Sequence, residues 1–485
     1  MSALKRLFKQ TFIYGLATVL PRVLGILLTP LYIYKLPEAD YGIYTSLMVL
    51  LILGNVMLSY GMETAFFRFI NKSERKALVQ STALTSITVT SIVFLIVALM
   101  LRNHLADWFD YQVPFVMYGA VILFLDALAV IPFAWFRKEE RPIRYSFVKI
   151  FSVVVNLVFN LFFFLLLPVI LEPDNETWGW LHFDNQVHYI FIANIIASFT
   201  TLLWILPLYH RIGFSFDSYL WRKMITYAYP VLLAGIAFAI NEGFDKLILR
   251  YLLPAEIADQ EVGVYGGVYK LGVFMTLFVT AFKLGVEPFF FSQANKKDAP
   301  KTYADITQYF VIFACVIFLG VVVYTDLIKL VLLPDSNFWR ALWVVPFILM
   351  ANLCLGVYHN LSVWYKITDK TIYGAYISLT GAVITLALNF ILIPYISYKG
   401  SAIATLAAYG SMMVISYLMG QKKYPIPYDV KKILTYMSLA GGFGCLSFYV
   451  FDRNMVIGTA FLFLFLAIIY QKERKDLKRY IKPKK

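Results

Sequence analysis

The sequence predicts an all-α, polytopic membrane protein of about fourteen transmembrane helices, and three observations carry that prediction. Of 485 residues, 60% are hydrophobic and only 15% are charged, against roughly 25% charged in an ordinary soluble domain. The apolar residues come in runs such as 11–34, 113–136 and 143–168, each as long as the ~20 residues that a helix needs to cross ~30 Å of hydrocarbon. Backbone polar groups in hydrocarbon must be satisfied inside their own segment, which leaves the helix. The alternating ten-residue strands of an outer-membrane barrel are absent from the sequence.

Hydropathy places the spans at 11–34, 41–67, 78–101, 113–136, 143–168, 187–209, 224–250, 262–292, 305–325, 341–365, 372–393, 400–420, 432–450 and 455–471; they are numbered 1 to 14 below. The opening Lys5, Arg6 and Lys9 before an apolar run has the outline of a signal peptide. That run is too long, contains Pro21 and lacks a small-x-small cleavage site, so it reads as a retained first span. Cys315, Cys354 and Cys445 all fall in apolar runs and read as small buried hydrophobes, with no disulfide or metal role.

The formal charge is +14, and its placement decides its meaning. Arg137, Lys138, Arg141 and Arg144 crowd the connection after span 4, and Lys422, Lys423, Lys431 and Lys432 crowd the one after span 12. Loop 169–186, on the opposite side, carries Glu172, Asp174, Glu176 and Asp184 with no Lys or Arg. The positive-inside rule then puts both termini in the cytoplasm. The basic residues face anionic headgroups, so no nucleic-acid partner is required.

The chain repeats itself. Gly61-Met-Glu-Thr-Ala-Phe-Phe67 returns as Gly285-Val-Glu-Pro-Phe-Phe-Phe291, and Tyr41-Gly-Ile-Tyr44 as Val262-Gly-Val-Tyr265. Trp135-Phe-Arg137 with Asn160 returns as Trp364-Tyr-Lys366 with Asn389. The period is six helices, an even number, so the halves share one orientation, as in transporters built from parallel repeats. The predicted architecture is two parallel six-helix lobes around a central cavity plus two C-terminal helices: 1–210, 211–421, 422–472, and a basic cytoplasmic tail at 473–485. Such a design suits alternating access of a solute or lipid.

Two stretches carry a family resemblance. The first is Leu20-Pro21-Arg22-Val-Leu-Gly25 through Pro30, followed by Leu36-Pro37-Glu38-Ala-Asp-Tyr41-Gly42-Ile-Tyr44. The second is Asn241-Glu242-Gly-Phe-Asp245-Lys246 through Leu253-Pro254, then Val262-Gly263-Val-Tyr265 and Tyr269-Lys270. They resemble the polysaccharide-biosynthesis (Wzx-type) flippases, a branch of the transporter superfamily that also holds MATE drug exporters and the lipid II flippase. The resemblance implies translocation of undecaprenyl-pyrophosphate-linked oligosaccharide between the leaflets of the bacterial inner membrane. Membrane lipids and other polysaccharide-assembly proteins would be partners, and no cofactor is implied.

Ionisable residues inside a bilayer cost roughly 2.5–3.5 kcal/mol each on insertion scales, so they face a cavity or a partner. A pyrophosphate would need cations along its path, and arginine suits phosphate oxygens best. Arg22, in the middle of span 1, is the leading candidate, with Asp126 of span 4 as its alternative ion-pair partner. In span 7, Glu242 and Lys246 are spaced to pair, Asp245 adjoins them, and Arg250 lies near the external end. Lys246, Lys270 and Arg250 complete the candidate pyrophosphate contacts; Asp126, Glu242 and Asp245 are candidate coupling or ion-pair residues. Lys283 and Glu287 read as an internal pair, Lys149 as a side chain that snorkels to the surface, and Asn156 and Asn160 as interhelical hydrogen-bonders. A cation exporter of the MATE type, which would want net negative charge in its cavity, is the first alternative, and a lipid II flippase a less favoured one. An enzyme is not expected, because no external loop is large and no metal, phosphate-loop or nucleophile motif is present.

Overall fold

A computed structural model describes residues 19–20, 23, 25–170, 182–294 and 296–481. Among these residues, thirteen helices are long and apolar enough to cross a membrane, and they coincide with spans 2 to 14. Span 1 is described in part, at residues 19, 20, 23 and 25–34, and residues 25–35 are helical. The chain is a multi-pass helical membrane protein, as its composition requires.

Packing divides the chain into two compact units, Met1–Gly266 and Gly267–Lys485. The division expected from the sequence repeat, at 210 and 211, differs from this one, which follows the spans that touch. In the first unit span 2 runs as Glu38–Ser59 and Met62–Lys72, span 3 as Lys76–Met100 and span 4 as Val113–Lys138. Span 5 is Pro142–Leu161, continued by a wider turn at Phe162–Leu166; span 6 is Val187–Ile212 and span 7 is Ser218–Leu252. Pro142 opens span 5, where its missing N–H has no helical partner to lose. Asp217 caps span 7 by accepting a hydrogen bond from the Leu220 N–H at 2.9 Å. Span 8 comprises Ala255–Tyr269, a tight turn at Lys270–Gly272, and Val273–Gln293, so only its first part belongs to this unit.

Glycines set the closest contacts. A Cβ on Gly42 would overlap the backbone carbonyl of Asp259, and one on Gly263 would overlap the carbonyl of Glu38. Spans 2 and 8 therefore cross backbone to backbone, through the two glycines that the repeat equates. A few turns along span 2, Tyr60 and Gly61 have φ of 32° and 73° and break the helix. A Cβ on Gly61 would lie 2.7 Å from the Ala228 carbonyl oxygen of span 7, so that break is required both by its backbone conformation and by the close approach.

The second unit holds span 9 (Ala299–Val323), span 10 (from the tight turns at Ser336–Val344 through Val345–Leu361 to Val363–Ile367), span 11 (Ile372–Ile396) and span 12 (Tyr398–Lys423). Span 13 is Val430–Cys445 with a wider turn at Leu446–Val450, and span 14 is Met455–Ile481. Cys315 and Cys354 are buried, as expected, but Cys445 is exposed: a thiol on an apolar helix can sit on a lipid-facing surface.

Two features differ from expectation. Short helices follow spans 3 and 9, at Arg102–Phe109 and Thr325–Leu332; both are too short for a hydropathy window to separate from a loop. The basic tail, set apart from the spans in the sequence, continues span 14 as helix to Ile481. Its Glu473 is only 1% exposed. It accepts hydrogen bonds from Lys432 at 2.9 Å and Gln308 at 3.3 Å, and another from the Tyr436 hydroxyl. That buried carboxylate fastens the end of span 14 to spans 9 and 13.

Gly263→Val is expected to lower the thermal midpoint of the purified protein, because the obstructing atoms are backbone and cannot rotate away. Overpacking of this kind costs about 1–3 kcal/mol. An unchanged midpoint in a thermal-unfolding assay would disprove the close crossing.

Candidate functional site

The first unit contains a cavity of about 400 Å³. Four spans line it, each through residues one helical turn apart. Span 2 contributes Asn55, Ser59 and Glu63; span 4 contributes Asp126, Phe133 and Arg137; span 5 contributes Tyr145, Lys149 and Ser152; span 6 contributes Ser198 and Thr201. A second cavity of about 200 Å³ shares Ser152 and Ser198 with the first, and adds Gly25, Asn156 and Asn194. The two make a polar path along the faces of spans 5 and 6 within an otherwise apolar bundle.

Its charges are arranged unequally. Asp126 accepts hydrogen bonds from Ser198 at 2.8 Å and from Asn55 at 3.3 Å, so its carboxylate is held on two sides. Arg137 forms an ion pair with Glu63 and its guanidinium lies 5.1 Å above the Phe67 ring. The Lys149 ammonium lies 4.3 Å above the Phe133 ring. Among the described residues no acceptor bonds it, so it is the cavity cation with donors to spare.

The equivalent ion pair recurs in the second unit. Lys366 of span 10 meets Glu287 of span 8 at 2.7 Å, beside a small void of about 20 Å³ that Lys283 and His359 also line. Glu63 and Arg137 belong to the first copies of two repeated motifs, and Glu287 and Lys366 to the second copies. Each unit thus closes its own carboxylate–cation contact between equivalent spans. Glu287 was expected to pair with Lys283 one turn away; its observed partner comes from another helix.

The structure locates the other sequence-derived candidates as follows. Arg22 lies outside the described residues. Lys246 is 7% exposed and pairs with the adjacent Asp245 at 3.0 Å, not with Glu242, whose side chain is exposed. The Tyr265 hydroxyl donates to the same Asp245 carboxylate at 2.7 Å, and the Lys246 ammonium lies 5.2 Å above the Tyr265 ring. This cluster ties span 7 to span 8. Lys270 sits half-buried in the tight turn of span 8.

Arg250 is committed to a clamp. Its Nε donates to Asp259 at 2.6 Å, Nη1 to the Phe109 carbonyl at 2.9 Å and Nη2 to the Asp110 carbonyl at 2.7 Å. The guanidinium also stacks 4.1 Å over Tyr111. Burial pushes the Tyr111 phenol up to about 12, against the pull of Arg250, so it stays a donor to Ser46 at 2.7 Å. With these bonds made, Arg250 has little left for a phosphate. Asn160 bridges spans as expected, accepting from the Tyr32 hydroxyl at 2.8 Å.

Sequence reasoning missed the place of Lys149 in the cavity lining, since it was read as snorkelling. The signal was present: Tyr145, Lys149, Ser152 and Asn156 recur at intervals of one turn and put one polar stripe on span 5. Ser198 with Asn194 on span 6, and Asn55 with Ser59 on span 2, repeat the pattern.

Thirteen described spans, a six-span repeat in the sequence and polar cavities within the bundle define a polytopic helical membrane fold, and known proteins of similar fold can be compared with it. The structure superposes on the lipid II flippase MurJ in an inward closed conformation with a TM-score of 0.71 and 13% identity, covering 95% of this chain and 99% of that one. An inward-facing multidrug resistance MATE family transporter of the MOP superfamily gives a TM-score of 0.58 at 14% identity, covering 90% and 99%. A single-site mutant of the Vibrio cholerae MATE transporter VcmN gives 0.59 at 15%, covering 86% and 96%. A search of curated protein sequences finds no match. The family described as "Polysaccharide biosynthesis protein" matches residues 7–292, and the chain belongs to that family.

Arg250→Ala should lower stability by about 3–5 kcal/mol, the usual consequence of stranding a buried ionic partner, and Arg250→Lys should not restore it, lacking the fork. Transport per folded molecule should stay near wild type. Intact stability with lost transport would instead make Arg250 a substrate contact.

Proposed function

We propose that this protein is a flippase that moves undecaprenyl-pyrophosphate-linked oligosaccharide from the cytoplasmic to the periplasmic leaflet of the bacterial inner membrane, for O-antigen, capsule or exopolysaccharide assembly. The observation that carries the reading is the charge-balanced cavity of the first unit, in a chain of the polysaccharide biosynthesis family. It offers Lys149, with donors to spare, a carboxylate already held by Ser198 and Asn55, and several amide and hydroxyl groups. A site for a hydrophobic cation would want excess negative charge; here two cations answer two carboxylates.

The chemistry required is binding and release, with no covalent step. A phosphoryl oxygen would take the Lys149 ammonium, an ionic hydrogen bond stronger than a neutral one. Asp126 would neutralise Lys149 through space while the cavity is empty, which limits the cost of keeping a cation in the membrane. Asn55, Asn156 and Asn194 would meet glycan hydroxyls. The polyprenyl tail would stay in lipid, with the gap between spans 2 and 8 as its passage. Opening that gap at the Gly42 end requires the Gly42–Gly263 crossing to part. Both termini would lie in the cytoplasm, and the two lobes, 1–210 and 211–421, would alternate access to the two sides.

The test is a proteoliposome assay that follows a pyrophosphate-linked oligosaccharide in parallel with a hydrophobic dye cation. Lys149→Gln should slow lipid translocation about tenfold or more, the scale of one hydrogen bond to a charged group; Arg22→Ala probes span 1 in the same assay. Dye efflux without lipid translocation would reject the flippase and favour a cation exporter. Wild-type translocation by Lys149→Gln would keep the function and discard the cavity contact.

A further inference from the structure

A second concave site lies elsewhere on the first unit, where the end of span 2 meets the start of span 7. It is an open groove of about 520 Å³ lined by Arg68, Phe69, Tyr219, Arg222, Lys223 and Tyr227, with Thr226. No carboxylate lines it, and among the described residues none pairs with Arg68, Arg222 or Lys223. This differs from the transmembrane cavity, where every cation has an acidic neighbour in the lining.

The site is built by the fold. The Gly61 break turns Met62–Lys72 away from the axis of Glu38–Ser59, and the close approach of Gly61 to Ala228 fixes that segment against span 7. Further along the same segment, Phe69 meets Tyr227 edge to face, 6.4 Å between centroids. The Arg68 guanidinium lies 4.0 Å over the Tyr227 ring, and the Lys223 ammonium 4.1 Å over the Tyr219 ring. Cation–π contacts hold both side chains in place while leaving their N–H donors free. The basic residues of an ordinary cytoplasmic loop have no such walls.

We infer that this pocket is a docking site for a phosphoryl headgroup, that of a polyprenyl diphosphate or of a membrane phospholipid, at the basic end of the protein. Two guanidinium forks and an ammonium match clustered phosphate oxygens. The aromatic rims suit the depth where headgroup meets acyl chain. Assignment to the polyprenyl diphosphate deepens the flippase reading and rests on it: the pocket would collect substrate from the leaflet before it enters the transmembrane path.

Binding is measured with polyprenyl diphosphate on the full-length protein in phosphatidylcholine nanodiscs, with displacement by inorganic pyrophosphate and, separately, by phosphatidylglycerol. The triple variant Arg68→Gln/Arg222→Gln/Lys223→Gln should bind about tenfold or more weakly. Should that triple fail to fold, Arg222→Gln alone should show a smaller loss in the same direction. Displacement by pyrophosphate but not phosphatidylglycerol assigns the site to the diphosphate lipid; displacement by phosphatidylglycerol but not pyrophosphate supports the pocket and assigns it to phospholipid; equal displacement by both supports it as a site for either phosphoryl headgroup. Wild-type affinity in the folded variants overturns it. Binding without translocation would reject the flippase reading and leave the pocket standing.

Discussion

The structure turns on a contact with no side chains in it. Gly42 and Gly263 let spans 2 and 8 cross at backbone distance, and the residues around them are arranged to keep that crossing. The carbonyl that meets Gly42 belongs to Asp259, whose carboxylate is held by Arg250; Arg250 in turn holds the chain turning from Arg102–Phe109 into span 4. Tyr111, in that turn, bonds Ser46 one turn beyond Gly42. In lipid, helices gain nothing from burying apolar surface, so close small-residue packing and polar links must hold them. Here both act at one place. Any opening between these spans would have to break a contact made of backbone.

Charge inside the bundle follows one economy throughout. Asp245 with Lys246, Glu287 with Lys366, Glu63 with Arg137 and Glu473 with Lys432 are each matched within a unit. The matching residue usually comes from another helix, so each pair also fixes a helix position. The repeat makes the point sharper. The acids of the two Gly-x-Glu motifs and the bases of the two Trp-x-Arg/Lys motifs were separate echoes in the sequence, and folding closes them into equivalent pairs. In each half the two motifs supply one another's counter-charge. Lys149 departs from this economy, since its ammonium rests on an aromatic face and its nearest carboxylate is engaged by hydroxyl and amide donors.

The spans were legible in sequence because hydrocarbon leaves the backbone one solution, and hydropathy reads that solution directly. Their partners were less so. The charge pairs were guessed from spacing along one helix, Glu242 with Lys246 and Lys283 with Glu287, while the observed partners of Lys246 and Glu287 are its chain neighbour and a residue of span 10. Spacing along a helix says which groups can meet, and the helix packing decides which do. Arg250, near a span end, read as a candidate pyrophosphate contact; only the fold brings the carbonyls of residues 109 and 110 to it. Lys149 failed in the opposite direction, since depth alone suggested the surface, whereas the polar stripe to which it belongs faces inward. Arg22, the first choice, lies outside the described residues.

The contrast between the two polar sites bears on how a charged lipid could be moved at all. A site for entry gains from unopposed cations, because it must draw an anion out of a crowded leaflet where many headgroups compete. A site on the path must not hold its ligand as firmly, since an ion bound too well is not released, the constraint that also governs conduction through channels. Arg68, Arg222 and Lys223 have no lining acid, whereas Lys149 shares its cavity with Asp126, and Arg137 with Glu63. If the proposed translocation holds, capture by unopposed cations at the surface and opposed charges within the membrane would form a gradient of electrostatic attraction, falling in the direction of travel. The same acids keep the cavity neutral when it is empty, so the protein can fold and change shape without carrying an unpaired cation through hydrocarbon.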